Sequence, residues 1–418
     1  MTKQEQKTSL EASNSLMRTK LGWLPVEWKV ERLDSLFSFK NGVNAGKEYY
    51  GKGVKFINVS EIFNNNSIQA DAIPGSVAVS EDVVEKYAVK RGDVLFNRTS
   101  ETQEEIAFAA VYLDDEKVVF GGFVIRARSV NDKMNDQFKK YCFQSSLFRK
   151  QVMAKGQGAV RANIGQNDLG TVKIPLPPLP EQQKIATILS TWDRAIALTR
   201  PLLQEKEAQK KGLMQRLLKP KHSWEEYKYG DILKVVKRPV AWNDEALYDL
   251  ISVRRRSGGL YYRESLYGHQ IKTKNLSTAK KGDFLISKMQ IVHGASGLTT
   301  TEFDGMKISG SYIAVISKNR QVLDIDFLNC LSKTPVFYHQ TYISSYGVHI
   351  EKMTFDFKSF LKLKVKLPAL TEQKQIVNIL QTADSELDFL REKVAALQAQ
   401  KKGLMQRLLT GKVRVKVD

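Results

Sequence analysis

The eleven residues from Ala208 to Leu218 recur letter for letter from Ala399 to Leu409, 191 positions later. At the same offset Leu176-Pro177 meets Leu367-Pro368, Glu181-Gln182 meets Glu372-Gln373, and Ile188-Leu189 meets Ile379-Leu380. No insertion or deletion intervenes. Identity of that length within one chain marks an internal duplication. Whatever this chain folds into must accommodate the same unit twice, and it presents two similar surfaces.

The repeats read as helices. Pro175-Leu176-Pro177-Pro178-Leu179-Pro180 and Leu367-Pro368-Ala369-Leu370-Thr371 are proline-containing stop-and-start signals. Glu181 and Glu372 follow in the first helical turn, where a negative charge suits the macrodipole. In the second copy Ile376, Leu380, Ala383, Leu387, Leu390, Val394, Leu397, Lys401, Leu404 and Leu408 step by alternating four and three residues. In the first copy Ile185, Leu189, Trp192, Ile196, Thr199, Leu203, Lys206, Lys210, Leu213 and Leu217 occupy the same seam. A heptad stripe this long predicts a coiled coil, and two copies separated by a globular segment fit an antiparallel pair. Pro201, opposite Glu392 in the other copy, is expected to kink only the first helix. The seam lysines Lys206, Lys210 and Lys401 either bury their stems and snorkel, or fix register against acidic residues of a facing helix.

The segments between repeats are distantly alike. Lys90-Arg91-Gly92-Asp93-Val94-Leu95 matches Lys280-Lys281-Gly282-Asp283-Phe284-Leu285, and Phe56-Ile57-Asn58-Val59 matches Leu250-Ile251-Ser252-Val253. Trp28 and Trp224 stand near the start of each. Strand signals lie at 118–120, 123–125 and 312–316. Gly42, Gly46, Gly51 and Gly53 predict a loop-rich stretch. The expected fold is α+β: a disordered tail at 1–20, a mixed α/β domain at 21–175, a helix at 176–220, a second α/β domain at 221–366, a helix at 367–411, and a tail at 412–418.

Composition narrows the partners. The chain carries 65 basic against 45 acidic residues, a net +20. Such an excess favours nucleic acid first and an acidic membrane surface second. No apolar stretch approaches a bilayer span, and the polar Met1–Lys20 segment lacks a signal core. Cys142 and Cys330 are too few for a disulfide framework or a zinc site, and read as reduced core residues in apolar, helix-like segments. No Walker-type loop, no Asn-Pro-Pro-Phe or Asp-Pro-Pro-Tyr tetrapeptide and no glycine-rich cofactor loop is present. Glu27 and Lys29 have nuclease-like spacing but no preceding aspartate. His222, His269, His293, His339 and His349 make no paired metal-ligand spacing. No catalytic residue and no metal site is therefore expected.

The proline-to-helix boundary at 175–182, its copy at 367–373, and the endings 210–218 and 401–411 resemble the specificity subunits of Type I restriction–modification enzymes. Leu21-Gly22-Trp23-Leu24-Pro25 with Trp28 resembles the opening of that family's target recognition domains. The resemblance spans nearly the whole chain and implies two target recognition domains, each reading half of a split double-stranded DNA target. It implies paired helices that space the two readers, and binding to two methyltransferase subunits and to restriction subunits. S-adenosylmethionine, ATP and Mg would then belong to those partners and not to this chain, which would act in the bacterial cytoplasm, with no membrane attachment. The competing readings are a self-contained DNA methyltransferase or nuclease, and a coiled-coil RNA-binding scaffold.

DNA contact asks for cations at phosphates and for planar or bidentate groups at base edges. Arg254-Arg255-Arg256, with Gly258-Gly259 and Tyr261-Tyr262 beside it, predicts a basic, flexible loop whose alternative is a solvated charge run. Lys288 and Gln290 follow one repeated strand, and Arg98, Thr99 and Ser100 follow the other. The third set lies before the proline boundaries: Arg161 and Asn163 in one copy, Tyr346 and His349 in the other, where the family resemblance implies a glycine-containing DNA-facing loop. Asn163 equally suits a helix N-cap.

Overall fold

The computed structural model describes residues 16–63, 65–158 and 161–417. The chain forms two compact units. One takes the residues up to Thr199 together with those from Lys393 onward, and the other takes Arg200–Glu392. The divisions thus fall inside the repeat helices, so each α/β segment folds together with half of each helix. None of the described helices is long and apolar enough to cross a membrane.

The first unit is built on a five-stranded sheet in the order Phe37–Asn41, Val124–Ser129, Val94–Asn97, Ala109–Tyr112 and Ser67–Ile68. Helices Asp136–Cys142 and Ser146–Lys155 cover it, with Phe96, Ile125, Phe138, Tyr141 and Phe148 in one core. The expected apolar helix around Cys142 is two helices, because Ser145 Oγ accepts from Phe148 N at 3.3 Å and starts the second. Strand Tyr50–Ile57 occupies part of the expected loop-rich stretch. Gly51 and Gly53 lie in it at φ 92° and 90°, where the register with Ser76–Val77 shifts. Positive φ at these glycines belongs to a bulged strand.

Neither expected tail is wholly outside the fold. Leu16–Thr19 pairs antiparallel with Gly22–Pro25, closed by the turn at Lys20 and Leu21 that Gly22 (φ 104°) leaves. The remainder of the N-terminal tail lies outside the described residues. At the other end Val413 and Val415 pack on the first unit's core. Arg414 Nε donates to buried Glu181 Oε1 at 2.7 Å, and Glu181 Oε2 also accepts from Trp28 Nε1 at 2.9 Å. Glu181 thus has a fixed counter-charge as well as a helix dipole.

The second unit has two four-stranded sheets. One runs Leu233–Val236, Tyr312–Ser317, Phe284–Ser287, Ser296–Leu298; the other runs Leu260–Tyr267, Leu247–Val253, Lys307–Ser309, Leu276–Thr278. Cys330 lies in helix Ile325–Leu331, and helix Pro335–Ile343 follows, capped by Thr334 Oγ1 accepting from Phe337 N. Strand Glu225–Lys228 pairs with Lys364–Leu367, as Lys29–Arg32 pairs with Lys173–Leu176 in the first unit. Each α/β segment therefore begins and ends on a two-stranded ladder leading straight into a repeat helix.

Those helices, Leu179–Leu217 and Leu370–Leu408, are 39 residues each and continuous, the first running through Pro201. At ~1.5 Å per residue each spans roughly 58 Å. Their segments run antiparallel within each unit. In the first unit Ile185, Ala186 and Leu189 share a core with Met405, Leu408 and Leu409. In the second, Ile376, Val377 and Leu380 share one with Leu213, Met214 and Leu217. Trp192, Ile196, Leu387, Leu390, Val394, Leu397 and Leu404 are buried or half-buried along the same stripe. The seam lysines meet acids on the facing helix: Lys401 Nζ lies 2.5 Å from Asp193, Lys206 Nζ lies 2.8 Å from Glu386, and Lys210 pairs with Asp384.

Candidate nucleic-acid interface

The repeated Gly-Asp turns set the geometry in both units. Gly92 (φ 84°) and Gly282 (φ 86°) supply the left-handed conformation that the turn needs. Asp93 Oδ2 accepts from Lys90 N at 2.8 Å, and Asp283 Oδ2 accepts from Lys280 N at 2.8 Å. Each buried carboxylate is then neutralised by an arginine from another strand or loop. Arg128 Nη2 reaches Asp93 at 2.7 Å, and Arg238 Nη1 reaches Asp283 at 2.5 Å. Behind the first pair, burial, and next to it the charge of Arg128, hold Arg126 below the ordinary arginine value.

From these turns run two fully buried strands, Val94–Asn97 and Phe284–Ser287, which emerge at Arg98 and Lys288. The same two docking bonds follow in each unit. Arg98 N donates to Phe123 O at 2.8 Å and its carbonyl accepts from Ile164 N at 3.0 Å. Lys288 N donates to Ser311 O at 2.9 Å and its carbonyl accepts from Phe355 N at 2.8 Å. The loop after the repeated strand is thereby bonded to the loop before the proline boundary, so two candidate sets that are far apart in sequence become one surface.

In the first unit Thr99 and Ser100 pair antiparallel with Asn163 and Ala162. Arg98, Arg161 and Asn163 are exposed and Thr99 is half-buried. Ser100 is not available at the surface: it is 6% exposed and its hydroxyl donates to Glu105 Oε2 at 3.0 Å. Asn163 is not a cap, since the next helix, Gln166–Gly170, is preceded by Gly165. Its side-chain amide donates to Arg161 O at 3.1 Å, leaving the carbonyl oxygen free of that bond. Arg149 clamps the neighbouring loop through Glu104 O at 2.7 Å and Ala107 O at 3.1 Å, and burial lowers its guanidinium to about 10.

In the second unit the three candidate sets converge. Arg254, Arg255 and Arg256 are exposed, but their loop is pinned, contrary to the flexibility expected of it. Arg256 N donates to His293 O at 2.6 Å and Ser257 N to Gly294 O at 2.9 Å. Both donors sit at positive φ (57° and 54°), and the Ser257 hydroxyl bonds the Tyr338 hydroxyl at 2.8 Å. Left-handed non-glycine residues persist only where surrounding bonds over-determine them. The Arg254 guanidinium lies 4.7 Å above the Tyr261 ring. Arg255 Nη2 donates at 3.0 Å to Glu351, on the same hairpin as exposed Tyr346 and His349. Lys288 Nζ donates to Gly310 O at 2.6 Å, and Gln290 Oε1 is buried without a partner in the structure.

Glu351, His293 and Tyr338 were not singled out in the sequence, although all three shape this surface. An acidic residue among candidate cations carries no local signal, and the matching stretch of the first copy, 156–164, contains no acid that could have drawn attention to it. Among the described residues, no cluster of three or more His, Cys, Asp or Glu side chains could hold a metal ion.

The model of the family described as Type I restriction modification DNA specificity domain matches residues 25–208 and 221–399. A putative type I restriction enzyme MjaX specificity subunit of Methanocaldococcus jannaschii is 25% identical over 430 residues, covering 96% of each chain. The type I restriction enzyme MjaVIII specificity subunit of the same organism is 24% identical over 72% of this chain and 76% of its own. Among solved structures, the S subunit of a type I restriction-modification system from M. genitalium superposes with a TM-score of 0.57 at 16% identity, over 91% of this chain and 96% of that one. The HsdS subunit from Thermoanaerobacter tengcongensis gives 0.51 at 17% identity, over 93% and 98%. At these identities the structural likeness is one of fold.

Proposed function

Because the chain belongs to the Type I restriction modification DNA specificity family, we infer that it is the sequence-reading subunit of a type I restriction–modification complex. It reads a bipartite DNA target, one half-site per α/β unit, and directs adenine methylation and restriction performed by other subunits. The chain itself is non-catalytic. Its partners are double-stranded DNA, two methyltransferase subunits and restriction subunits. S-adenosylmethionine, ATP and Mg belong to those partners, and the complex acts in the cytoplasm.

The observation that carries the reading is the repeated docking of two loops at Arg98 and at Lys288. It supports Arg98, Thr99, Arg161 and Asn163 as DNA-contacting groups of one unit. It supports Lys288, Gln290, Tyr346 and His349, with Arg254, Arg255 and Arg256, as those of the other. Ser100 takes part only by shaping the backbone of its strand. A net charge of +20 supplies the phosphate attraction.

Genome-wide mapping of methylated adenines with and without this gene tests the reading. The expected result is a split motif, two defined half-sites around a fixed number of unspecified bases, present only with the gene. Methyl transfer by the purified chain alone would reinstate the self-contained enzyme. Preference for RNA over duplex DNA in competition would favour the scaffold.

A further inference from the structure

The hairpin at 345–355 ends in a side chain with no reason to face water. Val348 is 96% exposed and Tyr346, at the hairpin's edge, is 65% exposed. The tip is nonetheless held in place. Ser345 and Tyr346 pair antiparallel with Phe355 and Thr354, and Lys352 N donates to His349 O at 2.8 Å. Met353 and Phe355 are buried beneath it. Gly347 takes φ 144°, and a Cβ there would stand 3.0 Å from Met353 Cα, so the sharp entry to the tip depends on glycine. Glu351, on the far side of the tip, is tied to Arg255 at 3.0 Å and lies 3.3 Å from His293 Nε2. A short β-branched side chain is thus held out on a braced turn. Exposed polar groups accompany it: the imidazole of His349 and the cation Lys352 on the hairpin itself, and the cation Arg255 across the Glu351 bridge.

Cations around an apolar point suit a duplex groove whose walls are phosphate and whose floor offers a methyl group. In the major groove that apolar feature is the thymine C5-methyl. Valine is shorter than the phenylalanine, leucine, isoleucine or methionine wedges that part stacked bases, so contact at the base edge is favoured over insertion. In sequence alone, Val160 precedes Arg161 ahead of the first proline boundary, as Val348 precedes His349 ahead of the second. We propose that Val348 is a specificity-determining residue that reads a thymine C5-methyl group in the half-site bound by the second unit. This rests on the DNA-reading function inferred above.

The test uses the assembled complex and duplexes carrying its mapped target. Each thymine of that half-site is replaced in turn by uracil, which removes only the methyl group. The wild-type complex is expected to lose affinity about three- to five-fold at one position, the worth of roughly one buried methyl. V348A should bind the thymine and uracil duplexes equally at that position. Wild-type discrimination retained by V348A overturns the proposal, as does a half-site without thymine or a wild-type complex indifferent to every replacement. A complex that does not distinguish its target from a scrambled duplex overturns the DNA-reading function instead, and the proposal with it.

Discussion

Gln373 Nε2 donates to Pro368 O at 2.9 Å, fastening the second repeat helix to the proline segment that introduces it. The same amide donates to Val322 O at 2.7 Å and accepts from Asp324 N at 2.9 Å. In the first unit Gln182 does the same with Pro177 O at 2.8 Å, Lys133 O at 2.9 Å and Asn135 N at 2.9 Å. Both glutamines are fully buried, so these bonds replace water completely. The repeated Glu-Gln pair thus combines a charge in the first helical turn with a latch between that turn and the reader segment.

Replacing Gln373 by Met keeps the volume and strips three backbone groups, one buried and two half-buried, of their partner. The variant is expected to lose roughly 2–3 kcal/mol of stability. Hydrogen exchange at the Asp324 amide should accelerate accordingly; exchange at the wild-type rate would show that the latch contributes nothing.

Arg414 is the counter-charge of a carboxylate that is almost wholly buried. R414A leaves Glu181 with Trp28 as its only described hydrogen-bond donor and is expected to cost about 2–3 kcal/mol. R414A combined with E181Q should recover most of that loss, because the uncompensated charge is gone. Equal melting temperatures for the single and double variants would place the effect elsewhere.

Burial pushes the Cys330 thiol up to about 11, and burial also raises Cys142. A raised thiol pKa means less thiolate at a given pH. At pH 8 the reactive fraction at Cys330 should be some two hundred-fold below that of a free cysteine of pKa ~8.5. Alkylation of the folded protein at pH 8 should therefore be slow at both sites and become fast in denaturant. Rapid labelling of the native chain would contradict the packing described for both helices.

A chain of net charge +20 that grips phosphates releases counterions when it binds. Affinity of the complex for its target is expected to fall by on the order of 10³-fold or more between 50 and 200 mM salt. Titration across that range measures it, and a flat response would remove the electrostatic basis of the interface.

Each half-site should answer to its own unit. R98A and R161A are expected to relax or weaken recognition of one half of the methylated motif, by about 1–3 kcal/mol where the arginine contacts a guanine. R254A and R255A should act on the other half. Exchange of residues 21–173 for another reader should likewise alter one half alone. Mapping methylated adenines for each variant decides it, and a change in both halves would defeat the modular reading.

The duplication, the two helices and their heptad seam were legible in the sequence because a helix writes its buried face into local spacing. Leu380, Leu387 and Leu390 lie a turn or two apart, and their pattern needs no knowledge of distant residues. The strands at 118–120 and 312–316 were legible for the same local reason. What joins Arg98 to Ile164, Lys288 to Phe355, or Arg256 to His293 is a backbone hydrogen bond across tens of residues, and neither partner's identity records it. The convergence of the reader loops, the pinning of the arginine loop, the burial of Ser100 and the capture of Arg414 by Glu181 were all decided by tertiary structure. Main-chain donors and acceptors are the same in every residue but proline, so only the folded path of the chain determines which of them meet.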